Sequence, residues 1–165
     1  MKKILIGSLT AIVLCGSCLK NYDNQPVCDA SYDPCAVVAP AGEVVTVESY
    51  LSAKGITDAV KHCSGLYYKI DSAGSGKTPG ICSTVYVRYK GQLTNDTVFE
   101  DQSSGAVGFS LERLIKGFKN GIPLIKEGGG IHLYIPPTLA YGSQQVGSIP
   151  PNSILIFQIN LVAVQ

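Results

Sequence analysis

The residue types that most often do chemistry in enzymes are few here, and none falls into a familiar catalytic motif. His62 and His132 are isolated in the sequence, and neither has a serine motif or a partnered carboxylate beside it. The acidic pair Glu100-Asp101 lacks the surroundings of a glycosidase. Gly76-Lys77-Thr78 resembles part of a phosphate-binding loop, but Asp71 stands where that motif needs its first glycine. We therefore expect the histidines and the acidic pair to be structural or exposed, and the glycine-rich segment to be a loop.

The start of the chain predicts export. Met1-Lys2-Lys3 is basic and is followed by an apolar run from Ile4 to Leu14, which is typical of a secretory signal and too short to span a membrane. The segment that follows, Cys15-Gly16-Ser17-Cys18, resembles the lipidation motif of bacterial lipoproteins. We predict a lipoprotein-type signal peptide over residues 1–17 and lipid attachment at Cys18, which would anchor the protein to a membrane. The alternative is an ordinary cleaved signal peptide with a cysteine near its end.

Four further cysteines remain after Cys18, and they indicate crosslinks. They are Cys28, Cys35, Cys63 and Cys82. An even set of cysteines in an exported chain favours disulfide bonds, and the sequence does not choose among the three possible pairings. Zinc binding is the alternative, but these four contain no Cys-x-x-Cys pair. We therefore predict disulfides and no metal site.

The composition is that of a globular domain with additional N-terminal segments. The chain has 165 residues, of which 45% are apolar and 15% charged. A net charge of +1 without a basic block gives no electrostatic basis for nucleic-acid binding. Residues 18–42 are polar and contain prolines, so we predict a tether. Residues 43–64 begin with an amphipathic pattern that is typical of a helix, and Gly55 is well placed to end this helix. We therefore predict an N-terminal helical extension. Residues 65–165 form the main domain.

The main domain must position its side chains with several strands and one helix. Alternating apolar residues predict strands near residues 66–70, 83–91, 98–99, 107–111, 131–135 and 153–164. The segment from Leu114 to Ile125 has apolar residues at helical spacing, although Gly121 and Pro123 weaken it, so we predict only two or three turns. A sheet needs its apolar face covered, and the single helix should cover it. The prediction is an α+β fold.

A series of short segments in the main domain keeps a recognisable order and spacing. They are Val87-Arg-Tyr-Lys-Gly91, Phe99-Glu100, Phe109-Ser-Leu111, Leu114-Ile-Lys-Gly-Phe118, Ile135-Pro136, Ala140-Tyr-Gly142, Ile149-Pro-Pro151 and Leu155-Ile-Phe157. With this series, the chain from about residue 65 to its end resembles the FKBP-type peptidyl-prolyl isomerases. The resemblance implies an FKBP-like twisted antiparallel β-sheet wrapped around one short α-helix.

The same resemblance implies an aromatic cavity that would hold a proline ring. Its residues would be Tyr89, Phe99, Phe118, Tyr141 and Phe157, together with Leu114, Ile115 and Ile149. Phe118 would form the floor, where many relatives have tryptophan, and the Tyr141 hydroxyl and the Ile115 N–H would bind substrate carbonyls. Glu100 stands where the family usually has aspartate at the polar rim. Val107 replaces an aromatic residue of many relatives and would thin one wall.

The implied function is rotation of X-Pro bonds in proline-containing polypeptides, as a folding helper for envelope or exported proteins and without a cofactor. The alternative is a non-catalytic FKBP-fold binding module or chaperone that keeps the cavity. Combined with the N-terminal signal, this places the protein in the bacterial cell envelope, lipid-anchored to a membrane and periplasmic or surface-facing. We expect a monomer.

Overall fold

The computed structural model describes residues 28–165, so the predicted signal peptide and Cys18 lie outside the described residues. The helices of this part are α1 (Ala41–Ala53) and α2 (Lys116–Gly121). Its strands are β1 (Val60–Lys61), β2 (Tyr67–Ser72), β3 (Thr84–Leu93), β4 (Val98–Asp101), β5 (Val107–Ser110), β6 (Gly130–Ile135) and β7 (Leu155–Val164). Short 3-10 turns occur at Leu111–Arg113, Ile122–Leu124 and Pro137–Leu139. No helix of residues 28–165 combines the length and apolar character needed to cross a bilayer.

The strands form one antiparallel sheet in the order β1-β2-β6-β7-β3-β4, and β5 also pairs with β3. The long strands β3 and β7 pair from Val85–Val164 to Leu93–Leu155. Successive side chains of a strand point to opposite faces, so one face of β6 and β7 carries Leu133 and Phe157 and the other carries Tyr134 and Ile156. Both faces are buried, because each is covered by a helix.

Helix α2 covers the face on which the largest hydrophobic cluster lies, as the sequence predicts. Phe118 and Ile122 are buried in this cluster with side chains of β3, β6 and β7. The helix approaches β6 closely because it presents glycines there. A Cβ atom added at Gly117 would lie 2.6 Å from Ile135 side-chain atoms, and one added at Gly121 would lie 2.5 Å from Leu133.

The predicted helix over residues 114–125 is too long at both ends. Leu114 and Ile115 are extended, with ψ angles of 167° and 152°, and the α-helix begins at Lys116. It ends at Gly121 and continues as a 3-10 turn that contains Pro123. Proline lacks the N–H that an interior α-helical hydrogen bond needs, so the regular helix stops before it.

Helix α1 covers the opposite face of the sheet. Its buried side chains Val47 and Leu51 form a second cluster with Tyr134, Ile154 and Ile156. Burial of this face explains why β7 is apolar on both sides near its start. The N-terminal helical extension therefore packs on the outer surface of the sheet.

The end of α1 has the predicted glycine motif. Gly55 has a positive φ of 67°, and the N–H of Ile56 donates to the carbonyl of Leu51 at 2.9 Å. A residue without a Cβ takes this left-handed conformation at little cost, which lets the chain reverse and bond the last carbonyls of the helix. The start of α1 is held from outside, because the Glu43 carboxylate accepts hydrogen bonds from the N–H and hydroxyl of Thr138 at 2.9 and 2.7 Å.

Two disulfides attach the segment before α1 to the main domain. Cys28 is bonded to Cys82, just before β3, and Cys35 is bonded to Cys63, just before β2. The Ala39 N–H donates to the Ser64 carbonyl at 2.8 Å and brings the chain to the start of α1. The described part of the predicted tether, residues 28–42, thus lies against the domain.

Candidate active site

A cavity of about 280 Å³ opens between the sheet and the beginning of α2. Its wall combines aromatic and aliphatic side chains with one carboxylate and one guanidinium. The lining residues are Tyr89, Glu100, Phe109, Arg113, Leu114, Ile115, Phe118, Tyr141 and Phe157. They come from four strands, from α2 with the segment before it, and from the loop after β6, so the cavity forms only when the whole sheet has closed on the helix.

The aromatic rings of the cavity support one another. Phe118 and Phe157 meet edge to face, with centroids 4.7 Å apart and an interplanar angle of 79°. Tyr89 lies 6.3 Å from Phe118 and 6.2 Å from Phe157. Phe99 packs on Phe157 at 5.5 Å. Such pairs contribute about 0.5–1.5 kcal/mol beyond the burial of their area, so the rings hold a fixed apolar shape.

Gly91 of β3 makes room for two of these rings. It stands opposite Phe157 in the pairing of β3 with β7. A Cβ atom at this position would lie 2.6 Å from the ring of Phe99 and 2.7 Å from the ring of Phe157. Any larger residue at position 91 would therefore displace the rings that support the cavity wall.

Tyr89 and Glu100 form the polar edge of the cavity. The Tyr89 hydroxyl donates a hydrogen bond to Glu100 Oε1 at 2.5 Å. Burial, and then the nearby carboxylate of Glu100, raise the pKa of Tyr89 well above its usual range. Both effects keep the phenol protonated, so Tyr89 acts as a wall held in place by Glu100 and not as a proton source. The sequence left the geometry of Glu100 open, and the structure places its carboxylate on this hydroxyl.

Two hydrogen-bond donors at the cavity make no bond to any described residue. The Tyr141 side chain is 36% exposed, and its hydroxyl has no partner among residues 28–165. Burial and the charge of Glu100 raise the pKa of Tyr141, so its hydroxyl stays protonated. The N–H of Ile115 likewise donates to no group in the described chain, because α2 begins only after it. Both donors remain available to carbonyl groups of a bound chain.

A family model for FKBP-type peptidyl-prolyl cis-trans isomerases matches residues 76–162. This chain belongs to that family. The match includes every residue that lines the cavity, from Tyr89 to Phe157. The isomerase fold predicted from the resemblance is confirmed, with an antiparallel sheet closed on one short helix.

Curated relatives carry the same family name. The probable FKBP-type peptidyl-prolyl cis-trans isomerase of Haemophilus influenzae is 47% identical over 104 residues, which are 61% of this chain and 43% of that protein. FkpA of Escherichia coli K12 is 38% identical over 120 residues, covering 72% of this chain and 43% of FkpA. The chain therefore spans less than half the length of these two isomerases.

Solved structures of the family superpose on the described domain. The crystal structure of FkpA from Escherichia coli matches with a TM-score of 0.69 at 35% identity, over 76% of this chain and 60% of that one. A peptidyl-prolyl cis-trans isomerase from Pseudomonas syringae pv. tomato matches with a TM-score of 0.66 at 28% identity, over 77% of this chain and 97% of that one. The match with the second structure covers nearly the whole of its chain.

Seven of the predicted site residues line the cavity. They are Tyr89, Glu100, Leu114, Ile115, Phe118, Tyr141 and Phe157. Phe99 and Ile149 lie outside its lining: Phe99 supports Phe157, and Ile149 is buried in the main cluster at 7% exposure. Their predicted contact with a bound proline stays a prediction.

The sequence analysis missed two lining residues, Phe109 and Arg113. The Phe109 ring lies 6.0 Å from that of Tyr89. Its position was open to inference, because Phe109 alternates with Leu111 in the strand predicted over residues 107–111 and so shares its apolar face. Arg113 belongs to a 3-10 turn whose outline no periodic pattern reveals, and nothing in the sequence singles it out.

Within residues 28–165, the other clusters of reactive or polar residues do not form a comparable site. His132 was expected to lack a carboxylate partner, but its Nδ1 lies 2.9 Å from Asp71 Oδ2 on the neighbouring strand. His62 and the Cys35–Cys63 pair place their ligand-type atoms within 4.8 Å of one another, but both sulfurs are joined in the disulfide. A larger groove of about 840 Å³ lies between α1 and the β3–β4 turn, and its lining contains none of the four phenylalanines.

Proposed function

We propose that this protein is a peptidyl-prolyl cis-trans isomerase that accelerates rotation about X-Pro bonds in exported polypeptides. The observation that supports this most is the cavity itself, in which Tyr89, Phe118 and Phe157 enclose an apolar space beside two available donors. A proline ring is a small apolar group, and the backbone on either side of it offers carbonyl acceptors. The cavity is suited to both.

The chemistry needs no nucleophile or general acid. Rotation about an X-Pro bond is slow, taking tens to hundreds of seconds, because twisting the bond breaks amide resonance. The twisted amide has a less polar carbonyl than the planar one. A water-poor aromatic cavity therefore binds the twisted state better than the planar ground state, and this difference in binding lowers the barrier.

In this proposal each group at the cavity has a distinct role. Phe118 and Phe157 hold the pyrrolidine ring, since their edge-to-face contact fixes the floor of the cavity. The Tyr141 hydroxyl and the Ile115 N–H bind carbonyls of the substrate backbone and so orient the rotating bond. Glu100 holds Tyr89 in the wall. Phe99, Leu114 and Ile149 complete or support the apolar surface.

The proposal is tested by NMR exchange spectroscopy on a short X-Pro peptide, which measures binding and exchange between isomers in one sample. Tyr141→Phe removes one donor but keeps the ring, so we expect the catalysed exchange rate to fall by about threefold to tenfold. Tyr86→Phe is the matched control, because it removes a hydroxyl that bonds to Gln165, and neither residue lines the cavity. Equal exchange rates in both variants would remove Tyr141 from the mechanism.

The second candidate is an FKBP-fold binding module or chaperone without useful catalysis. It is favoured by Glu100 in place of the usual aspartate and by Val107 in place of an aromatic residue. The same NMR sample discriminates between the two candidates. Peptide signals that shift on binding without any gain in the exchange rate would support the module, whereas accelerated exchange supports the isomerase.

We also propose that the protein acts in the bacterial cell envelope, attached to a membrane through Cys18 and present as a monomer. The basic start, the apolar run and the cysteine that follows support the anchor. The two disulfides suit an oxidising compartment. Mass spectrometry of the N-terminal peptide tests the anchor, since a diacylated Cys18 supports it and an unmodified mature N-terminus excludes it. Light scattering of the purified protein tests the monomer.

A further inference from the structure

One buried polar side chain of α2, that of Asn120, faces away from the cavity. Asn120 is 3% exposed and follows Phe118 by two residues. Two residues correspond to slightly more than half a helical turn, so the two side chains point in nearly opposite directions. A buried amide needs partners for its donor and acceptor groups, and α2 offers none at this position.

Both partners of this amide come from the segment before α1. We call residues 28–36 the N-terminal strap. The Tyr32 hydroxyl donates to Asn120 Oδ1 at 2.6 Å, and Asn120 Nδ2 donates to the Pro34 carbonyl at 3.1 Å. The Lys119 ammonium also lies 5.1 Å from the centroid of the Tyr32 ring. The strap therefore satisfies the buried amide of a helix more than 80 residues away in the chain.

The strap cannot move freely, because disulfides fix it at both ends. Cys28 is attached to Cys82 beside β3, and Cys35 is attached to Cys63 beside β2. Tyr32 and Pro34 lie between the two attachments. The strap is therefore tied to the sheet at both ends, and its contacts with the Asn120 amide hold α2 on the side opposite Phe118.

Helix α2 depends on such outside contacts. It has only six residues, and no side chain caps its N-terminus. A helix this short is not stable by itself. Phe118, the floor residue, lies in this helix. Ile115 is attached to its first turn, because the Ile115 carbonyl accepts hydrogen bonds from the N–H groups of Phe118 and Lys119 at 3.0 and 3.1 Å.

From this geometry we infer that Asn120 is a positioning residue of the isomerase site and that the strap, through Tyr32 and Pro34, sets the alignment of α2 for catalysis. The inference rests on the proposed isomerase function and adds to it a second support for the cavity floor, outside the segment that the family model matches. The strap is therefore part of the catalytic unit.

The test compares Tyr32→Phe with Tyr86→Phe in the full-length protein. Each variant loses one tyrosine hydroxyl that bonds to a side-chain amide, but only Tyr32 bonds to α2. We expect Tyr32→Phe to lower kcat by about threefold to tenfold while KM for an X-Pro peptide changes by less than about twofold, because a displaced donor affects the transition state most. Tyr86→Phe should keep both constants.

A double-mutant cycle tests whether Tyr32 and Asn120 act together. It adds Asn120→Leu and the double variant Tyr32→Phe/Asn120→Leu to the comparison. If the hydroxyl and the amide act as one unit, the double variant should lose no more activity than Asn120→Leu alone. The amide signal of Ile115 in NMR spectra should shift in Tyr32→Phe and not in Tyr86→Phe. This signal reports on α2 directly and does not require activity.

The failures can be told apart. A wild-type protein without isomerase activity would overturn the proposed function and this inference with it. An active wild type whose Tyr32→Phe variant keeps its kcat and its Ile115 signal would overturn this inference alone. If Asn120→Leu does not fold, the comparison of the two tyrosine variants still decides the outcome.

Discussion

The Tyr89 hydroxyl and the Glu100 carboxylate are joined across the neighbouring strands β3 and β4, at the rim of the candidate active site. Tyr89 is 6% exposed, so its hydroxyl depends on this acceptor. We predict that Glu100→Leu lowers the free energy of unfolding by about 1 kcal/mol, since it leaves a buried donor without a partner. Urea denaturation measures the change.

The matched control for this prediction removes both partners. Tyr89→Phe/Glu100→Leu should recover most of the stability that Glu100→Leu loses, because no unpaired hydroxyl remains. If the double variant is less stable than Glu100→Leu, the hydrogen bond is not the source of the effect.

A second prediction concerns the close packing of α2 on β6. Gly117→Ala and Gly121→Ala should each lower the free energy of unfolding by about 1–3 kcal/mol, because the added methyl overlaps Ile135 or Leu133. Gly42→Ala in α1 is the control, since a Cβ atom there meets nothing within 4 Å. Alanine favours a helix over glycine, so Gly42→Ala should leave stability unchanged or raise it by up to about 1 kcal/mol. Equal effects at all three positions would contradict the packing argument.

A third prediction follows from a buried tyrosine. Burial raises the pKa of Tyr134 to about 12, from an ordinary value of 10.0. Above pH 10 the unfolded chain therefore loses this proton while the folded chain keeps it. The contribution of this proton to the free energy of unfolding is therefore fully present below pH 10. It decreases by about 1.4 kcal/mol per pH unit between pH 10 and 12.

Urea denaturation at pH 9, 10 and 11 measures this dependence. Tyr134→Phe should flatten the decline, because it removes the titrating group. Part of the decline with pH should remain in this variant, since burial and Glu48 raise the pKa of Tyr67 to about 12 as well. A variant with the same slope as the wild-type protein would show that Tyr134 does not ionise as predicted.

The main features of the fold could be predicted because they depend on patterns among residues that are close together in the sequence. The alternation of Leu155, Phe157, Ile159 and Leu161 indicates a strand with one buried face, and the structure buries all four residues. Gly55 indicates the end of α1 through its ability to adopt a positive φ, which it does. By contrast, β1 has only two residues, both exposed, so no pattern could reveal it.

The bounds of α2 and the details of the site could not be predicted with the same accuracy. Leu114 and Ile115 fit a helical spacing, but both are extended and their side chains line the cavity. Contact between Tyr32 and Asn120 joins residues 88 positions apart. It depends on which cysteines pair, and their spacing leaves that choice open.

The most direct test of the whole account is the rate at which a short X-Pro peptide relaxes from cis to trans after a solvent jump. With micromolar protein, the relaxation rate constant should rise in proportion to protein concentration above the uncatalysed value, which corresponds to tens to hundreds of seconds. It should rise much less with Phe157→Ala, which opens the aromatic cavity. A wild-type protein that leaves the relaxation rate at its uncatalysed value would contradict the account.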